Sequence, residues 1–403
     1  MTATAERAAS WFDAIEPAFF EEHFDRKPYF ARGFFRGDLG GVLSLRDLDY
    51  LFVSSPGARH SYLRASRMTA DGRKDEHRLD PETKLARIAR YYRDGYTIAL
   101  DEVNYRCPPV YRMCGELQEA FARRGFANVR SRPTCGLFLT PRTSQGFPVH
   151  YDCKDVFALQ IAGRKTWALY EPTTPAPTRN SEDDAFLGAD LGEPVLQVTM
   201  EPGDLLYFPR GYLHRPFTDD AFSLHLSFAL TTLTWADVFA QMMQASAAFR
   251  ATVPHEFWAN GEIAPELRTA LGALVAPLAD ADAVRRKLHA WSAGDLVAEN
   301  QVAGDVIADA VAAELRGADA VPEERFAKRY GARLRLGRDG NEVVVTFPGN
   351  LVRLPGAYAA AVQRIVAAET FTIDEVAGEL PPGDARALCT RLFDSGFLRA
   401  APR

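Results

Sequence analysis

The feature that most constrains this chain is a stretch of short β-rich runs between residues 134 and 229, separated by turns that contain Gly and Pro. Phe222–Ala229 (FSLHLSFA) alternates strictly, which predicts a strand with Ser223, His225 and Ser227 on one face. Many short strands at regular spacing are typical of an antiparallel barrel or jelly roll. The sequence therefore predicts a β-rich central domain.

Four more runs within this stretch are predicted to be strands. Val156–Ile161 and Lys165–Tyr170 lie on either side of Ala-Gly-Arg, which predicts a hairpin. Val195–Met200 and Leu205–Phe208 are separated by the turn Glu-Pro-Gly-Asp.

The segments before and after this stretch have different sequence patterns. Residues 1–130 mix helices and strands, and residues 235–324 carry apolar positions at helical spacing. Residues 325–403 contain a predicted hairpin followed by three predicted helices, an order that looks like a winged helix. We therefore predict three domains, at 1–234, 235–324 and 325–403. The middle segment is too small to bury an independent hydrophobic core. We therefore expect it to pack against a second copy of the chain.

Composition excludes several classes of protein. Of the 403 residues, 47% are hydrophobic and 25% are charged, as in a packed globular chain and unlike a disordered one. Because no apolar run approaches the roughly 18–20 residues that span a bilayer and the N-terminus is unlike a secretory signal, we expect a cytoplasmic protein. The net charge of −6 argues against nucleic acid or an anionic membrane as a partner. The five cysteines form no Cys-x-x-Cys pair, which favours reduced, mostly buried thiols.

The candidate chemistry centres on His150-Tyr-Asp152 and on His214, which follows 64 residues later. Two imidazoles and one carboxylate form the facial triad of non-haem Fe(II) oxygenases, which leaves metal positions open for an organic co-substrate and O₂. His-x-Asp alone is a weak signal. Its context strengthens it, because His214 is expected in a Gly/Pro turn between strands and His150 is expected on an opposite strand of the barrel.

Lys165 begins the strand that follows the predicted hairpin turn, 15 residues after His150. An ammonium group inside a barrel is costly unless an anion pairs with it, and a dicarboxylate co-substrate would supply that anion. An exposed hairpin lysine beside Arg164 explains the spacing equally well, so the residues alone leave both interpretations open.

Two strings connect this chain to a known family. HYDCKDVFALQIAGRKTWALYEP (150–172) and EPGDLLYFPRGYLHRP (201–216) resemble the JmjC iron- and 2-oxoglutarate-dependent oxygenases. Within them the chain is most similar to the ribosomal oxygenase group, which includes histidyl and arginyl hydroxylases of ribosomal proteins. FDRKPYFARG (24–33) and LCTRLFDSGFLRA (388–400) match an early motif and the C-terminal region of that group.

The resemblance implies an α+β protein with a double-stranded β-helix (core about 134–229, a cupin or jelly roll), a helical dimerisation segment and a C-terminal winged helix. It implies that His150, Asp152 and His214 ligate Fe(II) and that Lys165 holds the C5 carboxylate of 2-oxoglutarate. The implied reaction consumes O₂, converts 2-oxoglutarate to succinate and CO₂, and hydroxylates a side chain of a protein or peptide. No catalytic residue beyond the metal ligands is implied.

The chain departs from the group at three positions. The group often has Asn and Tyr where this chain has Gly136 and Phe138, and it commonly has an acid where this chain has Cys153. These departures affect the remainder of the 2-oxoglutarate pocket. Ser227 could bind a carboxylate, or its hydroxyl could bond to a neighbouring backbone group. His225 is expected to be structural or to support the metal ligands.

The leading functional hypothesis is a protein or peptide hydroxylase that acts on a ribosomal protein or on a biosynthetic peptide. Two alternatives stay open, an N-methyl-lysine demethylase of the same family and a catalytically inactive, cupin-like binding or regulatory protein. A homodimer is expected. Nucleic acid is not an expected partner of the winged helix, because Asp384 and Asp394 balance Arg386 and Arg391 on its best helix.

Overall fold

The computed structural model describes residues 11–15, 17–54, 63–79, 83–126, 129, 132–182, 185–253, 265–298, 307, 311, 325–331 and 333–401. The chain divides into two compact units. The first unit comprises residues 1–121 and 131–232, and the second comprises residues 122–130 and 233–403.

The described residues of the first unit form two antiparallel sheets. The larger one has eight strands, in the spatial order β1 (Tyr29–Ala31), β9 (Leu205–Phe208), β6 (Asp155–Gly163), β11 (Ser223–Leu230), β5 (Thr134–Thr140), β4 (Thr97–Leu100), β2 (Leu63–Met68) and β3 (Lys74–Leu79). The smaller one has the order β10 (Leu213–Phe217), β7 (Lys165–Tyr170) and β8 (Leu196–Met200). The predicted antiparallel β-rich domain is confirmed.

The predicted hairpin between β6 and β7 is wrong, because the two strands belong to different sheets. β6 pairs with β9 and β11, whereas β7 pairs with β10 and β8. The chain passes from one sheet to the other at Gly163, whose φ is +66°. A Cβ atom at this position would lie 1.9 Å from the carbonyl oxygen of Phe222, so the crossover has room only for glycine.

Apolar residues from both sheets meet in one core. Val156, Leu206 and Phe208 of the large sheet pack with Trp167 and Met200 of the small sheet. The helix Pro108–Arg123 buries a stripe at helical spacing, which consists of Val110, Met113, Cys114, Leu117 and Phe121. The other described helices before residue 130 are Leu39–Val42, Leu48–Ser54 and Leu85–Arg93, with a π-helical turn at Phe19–His23 and 3-10 turns at Trp11–Ala14, Leu45–Asp47 and Val103–Tyr105.

The second unit has a helical part and a C-terminal part. The described helices of the first part are Trp235–Ala245, Pro265–Val275 and Ala281–Ala298, with a 3-10 turn at Ala276–Ala279; much of the predicted dimerisation segment lies outside the described residues. The C-terminal part contains a meander of β13 (Arg335–Asp339), β14 (Glu342–Phe347) and β15 (Asn350–Pro355), and a sheet in the order β16 (Thr370–Phe371), β12 (Phe326–Lys328) and β17 (Leu398–Ala400). Its helices are Ala359–Ala367, Ile373–Ala377 and Pro382–Asp394, with a 3-10 turn at Gly356–Tyr358.

The predicted hairpin and three helices of the tail are present, and the winged helix and the dimer stay predictions. All five cysteines are free, and four of them are buried. Across the described ranges, no helix is both long and apolar enough to span a bilayer.

Candidate metal centre

His150 and His214 are held side by side by backbone hydrogen bonds. His214 is the second residue of β10, and its N–H donates to the carbonyl of His150 over 2.8 Å. The N–H of His150 donates in return to the carbonyl of His214 over 3.3 Å. The predictions that His214 lies in a turn and that the two histidines lie on opposite strands are therefore wrong. Instead, an isolated antiparallel β-bridge pairs His150 directly with His214.

Asp152 completes a group of three potential ligands. One ligand atom each from His150, Asp152 and His214 lies within 4.8 Å of the others. Nε2 of His214 is 3.8 Å from Oδ2 of Asp152, and the two imidazole centroids are 4.2 Å apart. The structure thus brings together the three residues that the sequence singled out.

Backbone carbonyls orient both imidazoles. Nδ1 of His150 lies 2.8 Å from the carbonyl oxygen of Pro148, and Nδ1 of His214 lies 3.1 Å from that of Tyr212. Because a carbonyl can only accept, each Nδ1 carries the proton and each Nε2 keeps its lone pair for a metal. Burial and the neighbouring His150 lower the pKa of His214 to about 4, so His214 is neutral near pH 7, as a ligand must be.

The three residues line a cavity of about 550 Å³. Lys165, Trp167, Phe138, His225 and Ser227 also line it. The donor set of two imidazoles and one carboxylate suits Fe(II), and an adjoining cavity of this size has room for a small organic co-substrate.

Lys165 is buried, with only 3% of its surface exposed. The alternative of an exposed hairpin lysine is therefore wrong. Its Nζ donates to Oγ1 of Thr140 over 2.8 Å, and burial lowers its pKa to about 7. A carboxylate ligand would stabilise the ammonium form and raise that pKa.

β11 lines the cavity with His225, Ser227 and Ala229, and its alternation predicts that His225 and Ser227 share a face. Ser227 is half-buried and lies opposite Gly136 of β5, and His225 lies opposite Phe138. Both side chains line the cavity. Burial, followed by the charge of Lys165, lowers the pKa of His225 well below its usual value, so the imidazole is neutral.

Sequence reasoning missed Thr140 and Trp167. Thr140 is the hydrogen-bond partner of Lys165 although 25 residues separate them in the chain. Trp167 lies two residues after Lys165 on a strand, so the period of 2 places both side chains on one face and could have indicated it.

Comparisons with known proteins agree with this geometry. The family described as "JmjC domain" matches residues 117–238. Ribosomal oxygenase 1 of Rattus norvegicus is 34% identical over 268 residues, which cover 63% of this chain and 43% of that protein. A bifunctional lysine-specific demethylase and histidyl-hydroxylase NO66 of Aedes aegypti is 37% identical over 172 residues, 42% of this chain and 26% of that protein. The matches thus span less than half the length of these curated relatives.

Solved structures show the same fold. E. coli YcfD covers 95% of this chain and 97% of its own, with a TM-score of 0.56 and 17% identity. A second structure is described as YcfD, a ribosomal oxygenase from Escherichia coli, in complex with cobalt and 2-oxoglutarate. It covers the same shares, with a TM-score of 0.54 and 16% identity. The predicted resemblance is confirmed: residues 117–238 match the JmjC domain, the chain has the JmjC cupin fold, and its sequence is similar to that of the ribosomal oxygenases.

Proposed function

We propose that this protein is an Fe(II)- and 2-oxoglutarate-dependent dioxygenase that hydroxylates a side chain of a protein or peptide. The observation that carries the proposal is the convergence of two oriented imidazoles and one carboxylate beside a cavity that also holds a buried lysine. Ligand atoms within 4.8 Å of one another can share one ion, and the protein leaves the cavity side of that ion open.

Each residue has a defined task in this proposal. His150, Asp152 and His214 hold Fe(II), and the carbonyls of Pro148 and Tyr212 keep both Nε2 atoms aimed at it. When bound, the iron supplies the oxidative chemistry that couples decarboxylation of 2-oxoglutarate to hydroxylation of a C–H bond.

Lys165 orients the co-substrate in this proposal. The ammonium of Lys165 binds the far carboxylate, so that the 2-oxo acid end points to the metal ligands. Its contact with Thr140 holds the ammonium in place before the co-substrate enters. Ser227, on the same wall as His225, is a second candidate for carboxylate binding.

Succinate formation by the purified chain tests the proposal. We expect succinate only when Fe(II), 2-oxoglutarate and O₂ are all present, and we expect His150→Ala to abolish it. His289→Ala, at an exposed histidine of the helix Ala281–Ala298, is the matched control and should keep the full rate. A His150→Ala variant with the full rate would contradict the proposal.

Demethylation of N-methyl-lysine is a second candidate, because several curated relatives are named as bifunctional demethylases and histidyl-hydroxylases. Hydroxylation adds the mass of one oxygen to a peptide, whereas demethylation removes the mass of CH₂. Intact mass spectrometry of ribosomal peptides and of methyl-lysine peptides after incubation separates the two reactions. A catalytically inactive binding protein would form no succinate in either case.

The substrate class that we propose is a segment of a ribosomal protein. The names of the curated relatives support it, and so does the net charge of −6, which favours a basic partner. A biosynthetic peptide is the other candidate. Ribosomal substrates would place the activity in the cytoplasm.

The architecture that we propose has a catalytic domain at 1–234, a helical dimerisation segment at 235–324 and a winged helix at 325–403. The helices Pro265–Val275 and Ala281–Ala298 expose Val275 and Val297, as a segment that packs against a second copy would. Light scattering on the full chain should give twice the mass of 44.6 kDa, and the mass of a single chain would contradict the dimer.

A further inference from the structure

The regular pairing of β6 with β9 stops short of the candidate metal ligands. The pair nearest to them is Val156 with Phe208, and the residue after Phe208 is Pro209, which has no N–H to donate. The carboxylate of Asp155 takes over at this point, because its Oδ1 accepts the backbone N–H of Arg210 over 3.1 Å. A side chain thus extends the contact between the two segments past the end of the strands.

The second oxygen of Asp155 is also paired. Its Oδ2 accepts a hydrogen bond of 3.0 Å from the hydroxyl of Tyr207, which in turn accepts one of 2.9 Å from the backbone N–H of Asp25. Asp155 is 1% exposed and Tyr207 is 0% exposed, so water does not compete for these contacts. Both oxygens of one buried carboxylate therefore fix the segment after Tyr207 against β6.

The same segment makes two contacts with the candidate ligands. The N–H of Gly211 donates to the carbonyl of Asp152 over 2.9 Å, and the carbonyl of Tyr212 lies 3.1 Å from Nδ1 of His214, which it orients. Gly211 and Tyr212 follow Arg210 directly in the chain. A shift of Arg210 would therefore move both contacts at once.

Stability alone does not account for a carboxyl group at this position. Burial raises the pKa of Asp155 to about 6, so its surroundings disfavour the carboxylate form that predominates at pH 7. A buried charge is weak evidence for a stabilising role. The two hydrogen bonds of Asp155 lead instead to the segment that contacts both Asp152 and His214.

We propose that Asp155 is a positioning residue for the metal centre: its carboxylate fixes the segment 207–212 against β6 and so sets where Asp152 and His214 stand relative to each other. Asp155 does not itself line the cavity. The inference rests on the proposed function, because it gives a residue outside the cavity a task in holding the same metal ion.

Mn(II) binding to the purified full chain, followed by the electron paramagnetic resonance signal of the free ion, tests the proposal without turnover. Asp155→Ala removes both acceptors and should weaken Mn(II) binding about tenfold or more. Asp155→Asn keeps an oxygen for the N–H of Arg210 and should stay within about threefold of the unsubstituted protein. The visible absorption of the Co(II)-loaded protein should shift in Asp155→Ala and stay unchanged in Asp155→Asn.

Asp204→Ala is the matched control for the loss of a buried carboxylate. Asp204 is 2% exposed and accepts the backbone N–H groups of Gly33 and Glu201 over 2.7 and 2.9 Å. It lies at the opposite end of β9 and does not line the cavity. This variant should lose stability to denaturant, as Asp155→Ala does, and should bind Mn(II) as tightly as the unsubstituted protein.

A milder pair of variants serves where an alanine variant does not fold. Tyr207→Phe removes one of the two donors to Asp155 and should weaken Mn(II) binding about threefold. Tyr96→Phe, at another buried tyrosine, whose hydroxyl donates to Asp75, should leave Mn(II) binding unchanged.

Three results with the alanine variants would each overturn the role of Asp155. They are an unchanged affinity of Asp155→Ala for Mn(II), equal losses of affinity in Asp155→Ala and Asp204→Ala, and equal losses in Asp155→Ala and Asp155→Asn. In the milder pair, equal affinities of Tyr207→Phe and Tyr96→Phe would do the same. Failure of the unsubstituted protein to bind Mn(II) would overturn the proposed function itself.

Discussion

The proposed contact between the buried ammonium of Lys165 and the co-substrate predicts that binding depends on pH. Burial lowers its pKa to about 7 in the free protein, and a bound carboxylate would raise it. Binding therefore takes up a proton above pH 7, and the affinity for 2-oxoglutarate should fall by up to about tenfold for each pH unit above that value. Calorimetry of the Mn(II)-loaded protein between pH 6.5 and pH 9 measures this slope.

Lys165→Met provides the control for this slope. The variant should bind 2-oxoglutarate weakly at every pH, and its affinity should vary little over the same range, because methionine does not titrate. Arg164→Met, at the neighbouring exposed cation that pairs with Asp220, should keep the slope of the unsubstituted protein. A constant affinity of the unsubstituted protein from pH 6.5 to pH 9 would show that Lys165 does not receive the carboxylate.

Asp155 is a second buried group that titrates, and it links stability to pH. The hydroxyl of Tyr207 donates to its Oδ2 over 3.0 Å, and the backbone N–H of Arg210 donates to its Oδ1 over 3.1 Å. Burial nevertheless raises its pKa to about 6. The folded state then binds more protons than the unfolded state between about pH 4 and pH 6, so this carboxyl lowers stability as the pH rises through that window.

Thermal unfolding of Asp155→Asn, which cannot ionise, tests that sign. The Tm of the unsubstituted protein minus the Tm of Asp155→Asn should decrease between pH 4 and pH 6.5 and then stay constant, with a free-energy difference of a few kcal/mol at most. Asp220→Asn, at an exposed carboxyl, should show no such trend. A difference that increases with pH would show that the carboxylate form is the one stabilised by folding.

The candidate ligands could be proposed from the sequence because histidine and aspartate are typical metal ligands, so their residue types alone indicate a metal site. The alternation of β11 also predicted that His225 and Ser227 share a face. Thr140 could not be found in this way, because a threonine is common in strands and its contact with Lys165 depends on how two sheets pack. The orphaned Nδ1 of His225 is likewise visible only in the folded chain.

At the scale of elements, strand positions were easier to predict than strand partners. Both edges of β6 are occupied, by β9 on one side and β11 on the other, so no edge was free for the strand that follows it in sequence. The short connection between β6 and β7 suggested a hairpin. That prediction failed because local spacing carries no information about strand partners that are distant in the sequence. β3 was missed for another reason. Its sequence, KDEHRL, is mostly charged, as suits a strand at the edge of a sheet.

Because the chain crosses between the sheets at Gly163, we expect the single added methyl group of Gly163→Ala to destabilise the fold severely. In Gly163→Ala the new Cβ would meet the carbonyl of Phe222 at 1.9 Å, in addition to the strain of an alanine at φ +66°. We expect a loss of about 3 kcal/mol or more in the free energy of unfolding. Denaturant titration of the purified variant measures it.

Gly188→Ala is the control that separates the steric clash with Phe222 from the strain of an alanine at positive φ. Gly188 has a φ of +73°, and a Cβ atom there would have nothing within 4 Å. This variant should lose only about 1 kcal/mol, the cost of the left-handed conformation. Equal losses in the two variants would mean that the close approach of Phe222 does not constrain the crossover.

At the scale of the whole molecule, the cavity belongs to one of the two compact units. Every residue that lines it lies within 64–229, and the first unit comprises residues 1–121 and 131–232. The JmjC match over 117–238 covers β5 to β11, which carry the candidate ligands and Lys165. The proposed binding of the metal and of the co-substrate therefore needs no side chain of the C-terminal part, whereas the proposed dimer depends on residues after 234.

A fragment of residues 1–234 separates these two sets of properties. It ends before the helix that starts at Trp235 and keeps every cavity residue. Mn(II) and 2-oxoglutarate should bind to it with affinities within about threefold of those of the full chain, since the same atoms make the contacts, and light scattering should show a monomer. A folded fragment, judged by circular dichroism, that binds no 2-oxoglutarate would show that residues after 234 help to build the cavity.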